Sequence, residues 1–255
     1  YWSTRRPRAA RALAWAVTAG LVATAALGVQ AERDDAADPS VARLREQAEK
    51  DAALAERLAA LGVPVTGPLD LHRNDPVVWG ERVYVRQCQT CHHPCSNEPY
   101  KGDPCLEGYA SRAWIAKLLR HPASKYFFGN SKIDEMDPYE GEEASLRALT
   151  EFLYAQGARP DASAALATQG EALFESEGCG ACHTLDGKGG GDAPDLKGYA
   201  SAAWLSAFIR APGSERFYGK LNKMEAFDRH ELDDDEVAAV VAFLRAQAAQ
   251  PVKFP

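Results

Sequence analysis

The hydrophobic pattern begins with one long apolar run and continues with shorter stretches of helical periodicity. Ala12 to Ala31 are 20 consecutive residues without a charged side chain. As an α-helix this run is about 30 Å long, which matches the hydrocarbon thickness of a bilayer. The pattern therefore predicts a membrane-spanning helix near the start of the chain.

The charges that flank the apolar run predict its orientation. Four arginines precede it within the first 11 residues, and an acidic segment follows from Glu32. The positive-inside rule places the arginine-rich end in the cytoplasm and the rest of the chain on the other side of the membrane. A cleavable signal peptide has the same charge layout, with Val29-Gln30-Ala31 as its cleavage site. The length of the run favours a retained anchor.

Beyond the apolar run, the pattern predicts one amphipathic helix and then an extended linker. From Ser40, a candidate N-cap, apolar residues recur at three- and four-residue spacings as far as Leu61. Proline and glycine interrupt the pattern between residues 63 and 76. We therefore assign residues 1–31 to the cytoplasmic end and anchor, and residues 32–76 to the acidic helix and linker.

The remainder of the chain is an internal repeat. Three segments of the first half recur 90 residues later: Gly108-Tyr109-Ala110-Ser111 as Gly198-Tyr199-Ala200-Ser201, Arg120-His121-Pro122 as Arg210-Ala211-Pro212, and Phe127-Phe128-Gly129 as Phe217-Tyr218-Gly219. Both halves have the same predicted order of elements, with a first helix, a cysteine motif, a second helix, a loop and a last helix. The repeat predicts two domains with the same fold.

The domain boundaries that we assign are residues 77–157, a hinge at 158–165, residues 166–250, and a tail at 251–255. Gly80 and Gly170 each lie one turn before an aromatic residue on the first helix of their half. A small residue there allows the last helix of the same half to cross the first closely. A domain of under 100 residues buries little apolar surface, so each core needs a bound group at its centre.

A five-residue motif supplies the chemistry of each half. It reads Cys88-Gln89-Thr90-Cys91-His92 in the first half and Cys179-Gly180-Ala181-Cys182-His183 in the second. Two thiols three positions apart can add to the two vinyl groups of one haem, and the next histidine can ligate its iron. A zinc site would need both pairs together, yet 87 residues separate them, and a thioredoxin-like dithiol is typical of an α/β pattern. The motifs predict two covalently attached haem c groups.

The chain has only two methionines, and each follows a haem motif at a similar distance. Met136 lies 44 residues after His92, and Met224 lies 41 residues after His183. A thioether is a soft ligand that raises the haem potential relative to two nitrogens. We predict the two histidines as proximal ligands and the two methionines as distal ligands. Packing in the core is the alternative for the methionines, and His121 is a rival distal ligand in the first half.

Cys95 and Cys105 are the only cysteines outside the haem motifs, and nine residues lie between them. Thioether attachment of haem implies an oxidising compartment outside the cytoplasm, where disulfides persist. We therefore predict a disulfide between them, which stabilises the fold by about 3 kcal/mol in the chain-entropy model. Two buried free thiols are the alternative.

The charge distribution bears on the partners of the chain. The formal net charge is −7, and because the first 31 residues carry four arginines and no acid, the rest of the chain carries −11. So acidic a part is a poor candidate for binding nucleic acid, and we expect no nucleic acid and a basic electron-acceptor protein as partner.

Each half resembles a class I c-type cytochrome, with a haem motif near its start and a distal methionine in a later loop. The resemblance covers about residues 77 to 250. It implies an all-α fold, in which an N-terminal transmembrane helix precedes two tandem class I cytochrome c-like domains. The Gly-Tyr-Ala-Ser-x-Ala-Trp, Arg-x-Pro and Phe-x-Gly motifs resemble, more narrowly, those of the membrane-anchored dihaem cytochrome c of bacterial cytochrome bc complexes.

The narrower resemblance implies a subunit of a quinol:cytochrome c oxidoreductase, with cytochrome b and a Rieske iron–sulfur protein as partners. Single electrons would pass from the Rieske protein through the two haems to a downstream acceptor of a respiratory or photosynthetic chain. A dihaem electron-entry subunit of a terminal oxidase and a free-standing membrane-tethered shuttle are alternatives. A dihaem peroxidase is another, but it needs an open haem position, whereas each haem here has a candidate methionine.

Overall fold

The computed structural model describes residues 7–96, 104–131, 133, 136–190, 193–250, 252 and 254. These residues are mostly helical and contain no strand, which confirms the all-α prediction. The chain divides into two compact units, Tyr1–Val63 and Pro64–Pro255.

The first unit consists of the helices α1 (Pro7–Ala37) and α2 (Pro39–Ala60). Among the described residues, one helix is long and apolar enough to cross a membrane, from Arg8 to Ala37. Its large apolar side chains are exposed, with Trp15 at 75%. Because a helix that is apolar on every side requires an apolar surrounding, α1 is the predicted single-pass anchor.

The start of α2 differs by two residues from the prediction that Ser40 caps it. The N-cap is Asp38, whose carboxylate accepts a hydrogen bond from the backbone N–H of Ser40 at 2.7 Å. Pro39 occupies the first helical position, where its missing N–H costs nothing. Because Pro39 is favourable at the first helical position, the helix begins there and Asp38, not Ser40, caps it.

The second unit contains six α-helices among its described residues, and the last three repeat the order of the first three. They are α3 (Pro76–Gln87), α4 (Arg112–Arg120), α5 (Glu143–Gln156), α6 (Ala164–Ser176), α7 (Ala202–Arg210) and α8 (Asp234–Gln247). Short 3-10 helices lie at Pro68–Asn74, Cys179–Ala181 and Gly219–Leu221. The first of these lies within the linker that the sequence predicts as extended.

Equivalent helices of the two halves begin in the same way. Ser111 and Ser201 each cap a helix by accepting a hydrogen bond from the backbone N–H three residues later, at 3.1 and 3.2 Å. The residue before each serine is an alanine with a positive φ, 55° at Ala110 and 57° at Ala200. The repeat in sequence is therefore a repeat in local geometry.

One large hydrophobic cluster contains buried residues of both halves of the second unit, including one tryptophan of each half. Trp114 packs edge-on against Phe127, and Trp204 packs edge-on against Phe217, with ring centroids 5.1 Å apart in both pairs. Each indole N–H donates to a backbone carbonyl at 2.9 Å. Buried indoles with a satisfied N–H fix the loops that they touch.

The long helices cross between the halves. α3 packs along α8, and α5 packs along α6. Within the described residues, α3 does not contact α5 and α6 does not contact α8. The prediction that the last helix of each half crosses the first helix of the same half is therefore wrong.

Gly80 and Gly170 allow two helices to approach closely, as predicted, but each contacts the last helix of the other half and not that of its own half. A Cβ on Gly80 would collide with the carbonyl of Ala239 on α8, and a Cβ on Gly170 would collide with the carbonyl of Ala148 on α5. The backbones of the crossing helices thus touch at these points. Such an approach is open only to a residue without a side chain.

The short connection between α5 and α6 explains part of the exchange. Residues 157–163 join the two helices, and helices with so short a link usually lie side by side. The connection is held in place, because Arg112 binds the Asp161 carboxylate at 2.9 Å and the N–H of Ser163 donates to Glu151 at 2.6 Å. These bonds tie the segment predicted as a hinge to α4 and α5.

The glycine crossings generate a stability prediction. Gly80→Ala and Gly170→Ala should each lower the free energy of unfolding by about 2 kcal/mol or more, because the new methyl must displace a backbone carbonyl. Chemical denaturation of the haem-loaded protein measures the change.

Gly213→Ala is the matched control. Its Cβ would meet only the side chain of Asn222, at 3.3 Å, and the first half has Ala123 at the equivalent position. A loss at the two crossing positions no larger than at Gly213 would contradict the close approach.

Candidate functional site

Each cysteine motif begins where the first helix of its half ends. α3 ends directly before Cys88, and α6 ends three residues before Cys179. All four motif thiols are free; Cys91 and Cys182 are exposed, and the other two are partly buried. The motifs therefore present their sulfurs at the surface of the second unit, where a large planar group can be attached.

The thiol chemistry argues against a redox dithiol. Burial, reinforced by the neighbouring Cys91, raises the pKa of Cys88 to about 11. Burial also raises the pKa of Cys179. A raised pKa disfavours, at these two positions, the thiolate that a reactive dithiol or a thiolate metal site needs. The environment of these pairs suits sulfurs that end as thioethers.

The motif histidines are held in the same way in both halves. Nδ1 of His92 lies 2.8 Å from the carbonyl oxygen of Pro104, and Nδ1 of His183 lies 2.8 Å from that of Pro194. Since a carbonyl only accepts, Nδ1 carries the proton and Nε2 carries the lone pair. Burial lowers the pKa of His183, which keeps this ring neutral. A neutral imidazole oriented through Nδ1 is the form that ligates iron through Nε2.

Tyrosine ties the first motif to its helix. The Tyr84 hydroxyl donates to the carbonyl oxygen of His92 at 2.7 Å, and the Tyr84 ring packs on Phe243 of α8 with centroids 5.2 Å apart. In the second half Phe174 occupies the position of Tyr84 and packs on Phe152 of α5 at 5.5 Å. Each motif is thus next to the crossing that its own helix makes.

The loop after each histidine is braced by different chemistry. In the first half Cys95 and Cys105 form a buried disulfide. In the second half Asp195, at the position equivalent to Cys105, is fully buried and accepts hydrogen bonds from Thr184 Oγ1 at 2.7 Å and from the N–H of Gly187 at 3.0 Å. A covalent link in one half is therefore replaced by a buried carboxylate network in the other.

Asp195 was missed by reasoning from the sequence alone. A single aspartate in a loop carries no motif, because its role depends on the burial of its carboxylate. The signal that was present is its register, since it lies 90 residues after Cys105 and directly after Pro194.

Both methionines lie in irregular loops and pack against the core. Met136 and Met224 are partly buried. Asn222 fixes the second of them, because its side chain donates to the Met224 carbonyl at 2.7 Å and accepts from the Met224 N–H at 3.1 Å. The rival ligand His121 is exposed at the end of α4. A buried thioether suits a haem pocket better than an exposed imidazole.

One shallow cavity shows which elements surround the Met136 loop. Residues Asp137, Pro138, Tyr139, Glu140 and Gly141 line it together with Glu177. Glu177 precedes Cys179 by two residues. The loop that carries the first methionine thus lies beside the second cysteine motif.

The donor set of each half fits a covalent haem c. It offers two free thiols, an imidazole whose Nδ1 faces a backbone carbonyl so that Nε2 is available for ligation, and a partly buried thioether in a loop. Two nitrogen or sulfur axial ligands of this kind set a haem for electron transfer.

Comparison with known proteins assigns part of this chain. Residues 167–248 match the family model "Cytochrome c". The chain is also similar to the cbb3-type cytochrome c oxidase subunit CcoP of Helicobacter pylori strain 52, with 24% identity over 185 residues. This alignment covers 69% of the chain and 60% of the relative. CcoP of Helicobacter pylori strain ATCC 700392 / 26695 is 24% identical over 179 residues, which cover 67% of the chain and 59% of the relative.

The chain therefore spans about 60% of the length of the curated relatives that it matches. No solved structure matches the chain.

The buried carboxylate of Asp195 generates a second prediction. Asp195→Ala should lower the free energy of unfolding by roughly 2 kcal/mol, since it empties a fully buried site and leaves partly buried partners such as the Thr184 hydroxyl unsatisfied. Asp186→Ala is the control, because Asp186 is exposed and its hydrogen bonds face solvent. Equal losses in the two variants, measured by thermal or chemical denaturation, would contradict the bracing role.

Residues 167–248 of the second unit thus match a cytochrome c domain, for which covalent haem c is the implied cofactor, in a chain that has one helix long and apolar enough to cross a membrane and a weak similarity to an oxidase subunit.

Proposed function

We propose that this chain is a membrane-anchored dihaem cytochrome that carries single electrons into a terminal oxidase complex. One haem is attached through Cys88 and Cys91, and the other through Cys179 and Cys182. The observation that carries the proposal is the matched pair of histidines, His92 and His183. Each directly follows a Cys-x-x-Cys pair, and the Nδ1 atom of each lies 2.8 Å from the carbonyl oxygen of a proline.

Two haems are proposed although the family model covers only the second half. The first motif has the same five-residue spacing as the second. In both motifs the backbone N–H of the histidine donates to the carbonyl of the motif's first cysteine, at 2.9 Å for His92 and 3.0 Å for His183. Its proximal histidine has the same type of carbonyl partner. Equal geometry at both motifs supports equal occupancy by haem.

The axial ligands proposed are the two histidines on one side and Met136 and Met224 on the other. When bound, the haem supplies one-electron redox chemistry. The chain orients the imidazoles through their Nδ1 protons. The aromatic and aliphatic side chains of the cluster on which Met136 and Met224 pack would exclude water from the bound group. A sulfur ligand and an apolar pocket favour the reduced state and so raise the potential.

We propose a terminal oxidase in place of the cytochrome bc complex that the sequence motifs led us to expect. The bc-complex interpretation, with cytochrome b and a Rieske protein as partners, rests on motif resemblance alone. Similarity to CcoP supports the alternative, an electron-entry subunit of a terminal oxidase. The partners proposed are accordingly the other subunits of such an oxidase and a soluble electron donor.

The proposed location of the haem domains is the periplasmic side of a bacterial inner membrane. Arginine residues at the N-terminal side of the anchor support this orientation through the positive-inside rule. The buried Cys95–Cys105 disulfide is consistent with an oxidising compartment. The net charge of −11 after residue 31 favours a basic protein partner, which in an oxidase is the electron donor and not the acceptor that the bc-complex interpretation implied.

Purification from the native membrane tests the proposed complex. In mild detergent, the chain should co-purify with a copper-containing subunit, and the preparation should reduce oxygen with electrons from a reduced soluble cytochrome. Co-purification with a Rieske cluster and quinol-driven reduction of the haems would contradict the oxidase assignment and restore the bc complex.

Replacement of either methionine tests the ligand set. Met136→Ala and Met224→Ala should each lower the potential of one haem and halve the weak charge-transfer band of sulfur-ligated ferric haem, because a soft thioether is lost. Potentiometric titration and the ferric absorption spectrum measure both effects. His121→Ala is the control and should change neither; an unchanged spectrum in a methionine variant would refute that ligand.

A further inference from the structure

We propose that Asp195 and Arg216 set the reduction potential of the second haem from outside its ligand set. Asp195 is a positioning residue for His183, and its buried negative charge favours the ferric state, while Arg216 opposes it. At the equivalent positions of the first half, Cys105 and Tyr126 carry no charge. This role rests on the proposed function, in which both motifs carry haem.

The first step is the backbone on which Asp195 lies. Pro194 directly precedes Asp195, and its carbonyl accepts from Nδ1 of His183 at 2.8 Å. The N–H of Asp195 donates to the carbonyl of Arg216 at 2.9 Å, and the carbonyl of Asp195 accepts from the indole N–H of Trp204 at 2.9 Å. The carbonyl that orients the imidazole is therefore fixed through the residue that follows it.

The second step is the side chain of Asp195, which ties the same loop to the residue after the ligand. Its carboxylate accepts from Thr184 Oγ1 at 2.7 Å, and from the N–H groups of Gly187 and Lys197 at 3.0 and 3.2 Å. Thr184 directly follows His183. Because amide N–H groups can only donate, these contacts favour the charged form of the carboxyl.

The third step is the positive charge that faces Asp195. Nε of Arg216 is buried and lies 3.9 Å from Asp195 Oδ1. The Asp195 side chain is fully buried, whereas 29% of the Arg216 side chain is exposed. Solvent therefore screens the arginine more than the aspartate, and Arg216 offsets only part of the negative charge beside His183.

The fourth step is the contrast with the first half, which has the same backbone frame. The N–H of Cys105 donates to the Tyr126 carbonyl at 2.9 Å, and the Cys105 carbonyl accepts from the Trp114 indole at 2.9 Å. The buried side chains are a disulfide with Cys95 and the Tyr126 ring. Glu107 also reaches this loop, where it accepts from the Cys95 N–H at 3.0 Å, but it is not buried and solvent screens its charge.

These contacts give the two charges opposite effects on the second haem. Reduction adds one negative charge, so a nearby carboxylate lowers the potential and a nearby guanidinium raises it. A purely structural brace has a different signature, because loss of either side chain would loosen the same loop and move the potential in the same direction. A lower potential at the second haem favours electron flow from it towards the first.

Potentiometric titration of the full, haem-loaded chain at fixed pH and low salt tests the charge pair. Haem methyl signals in the nuclear magnetic resonance spectrum report each haem separately, since the thioether bonds to Cys88 or to Cys179 identify them. Asp195→Asn, which keeps the shape of the side chain, should raise the potential of the second haem. The electron-sharing equilibrium between the haems should change by on the order of tenfold, which is about 59 mV for one electron.

Arg216→Gln should lower the potential of the second haem, by less than Asp195→Asn raises it, because the arginine is partly exposed. The first haem should not change in either variant. Shifts of the same sign in the two variants, no shift in Asp195→Asn, or an equal shift at both haems would overturn the charge pair and leave the proposed function intact. A chain that carries one haem or none would contradict the proposed function before any potential is compared.

Glu107→Gln is the matched control, because it removes a carboxylate from the equivalent loop of the first half. The potential of the first haem should change by much less than Asp195→Asn changes that of the second. Equal changes would overturn the role of burial. If Asp195→Asn yields too little folded protein, Arg216→Gln decides alone: a lowered potential supports the charge pair, and a raised or unchanged potential overturns it.

Discussion

Two close helix crossings hold the second unit together, and each of them joins one half of the repeat to the other. At Gly80 and Gly170 the backbone of one helix occupies the space that a Cβ would need. Val83 and Val240, both fully buried, lie on the helices of one crossing. Because each half uses a helix of the other half to close its core, the two halves are expected to unfold as one cooperative unit.

This interlocking has a direct bearing on electron transfer. A carrier with two haems needs a fixed distance between them, and a flexible hinge between two separate domains would not provide it. Here the connection after α5 is bound by Arg112 and Glu151, and Arg159 and Arg245 donate to backbone carbonyls at the ends of α8 and α5. Rings of both halves, Tyr109 and Tyr199, meet at 6.1 Å. The fold fixes the relative position of its two motifs.

The elements that carry local signals could be predicted from the sequence, and the exchange of helices could not. The apolar run, the paired motifs and the repeat each depend on residues close together in the chain. The first helix of either half could pack on either of the two last helices, because α5 and α8 offer the same surface. Ala148 and Phe152 on α5 match Ala239 and Phe243 on α8. Asp195 was invisible for a related reason, since only burial makes its carboxylate a brace.

The central claim of this account is that both halves, and not only the one with the recognised cytochrome c domain, carry a covalent haem. Mass spectrometry of the denatured, purified chain measures this most directly, because thioether-bound haem stays attached when the fold is lost. The account predicts the mass of the polypeptide plus two haems. A mass with one haem, or with none, would contradict it.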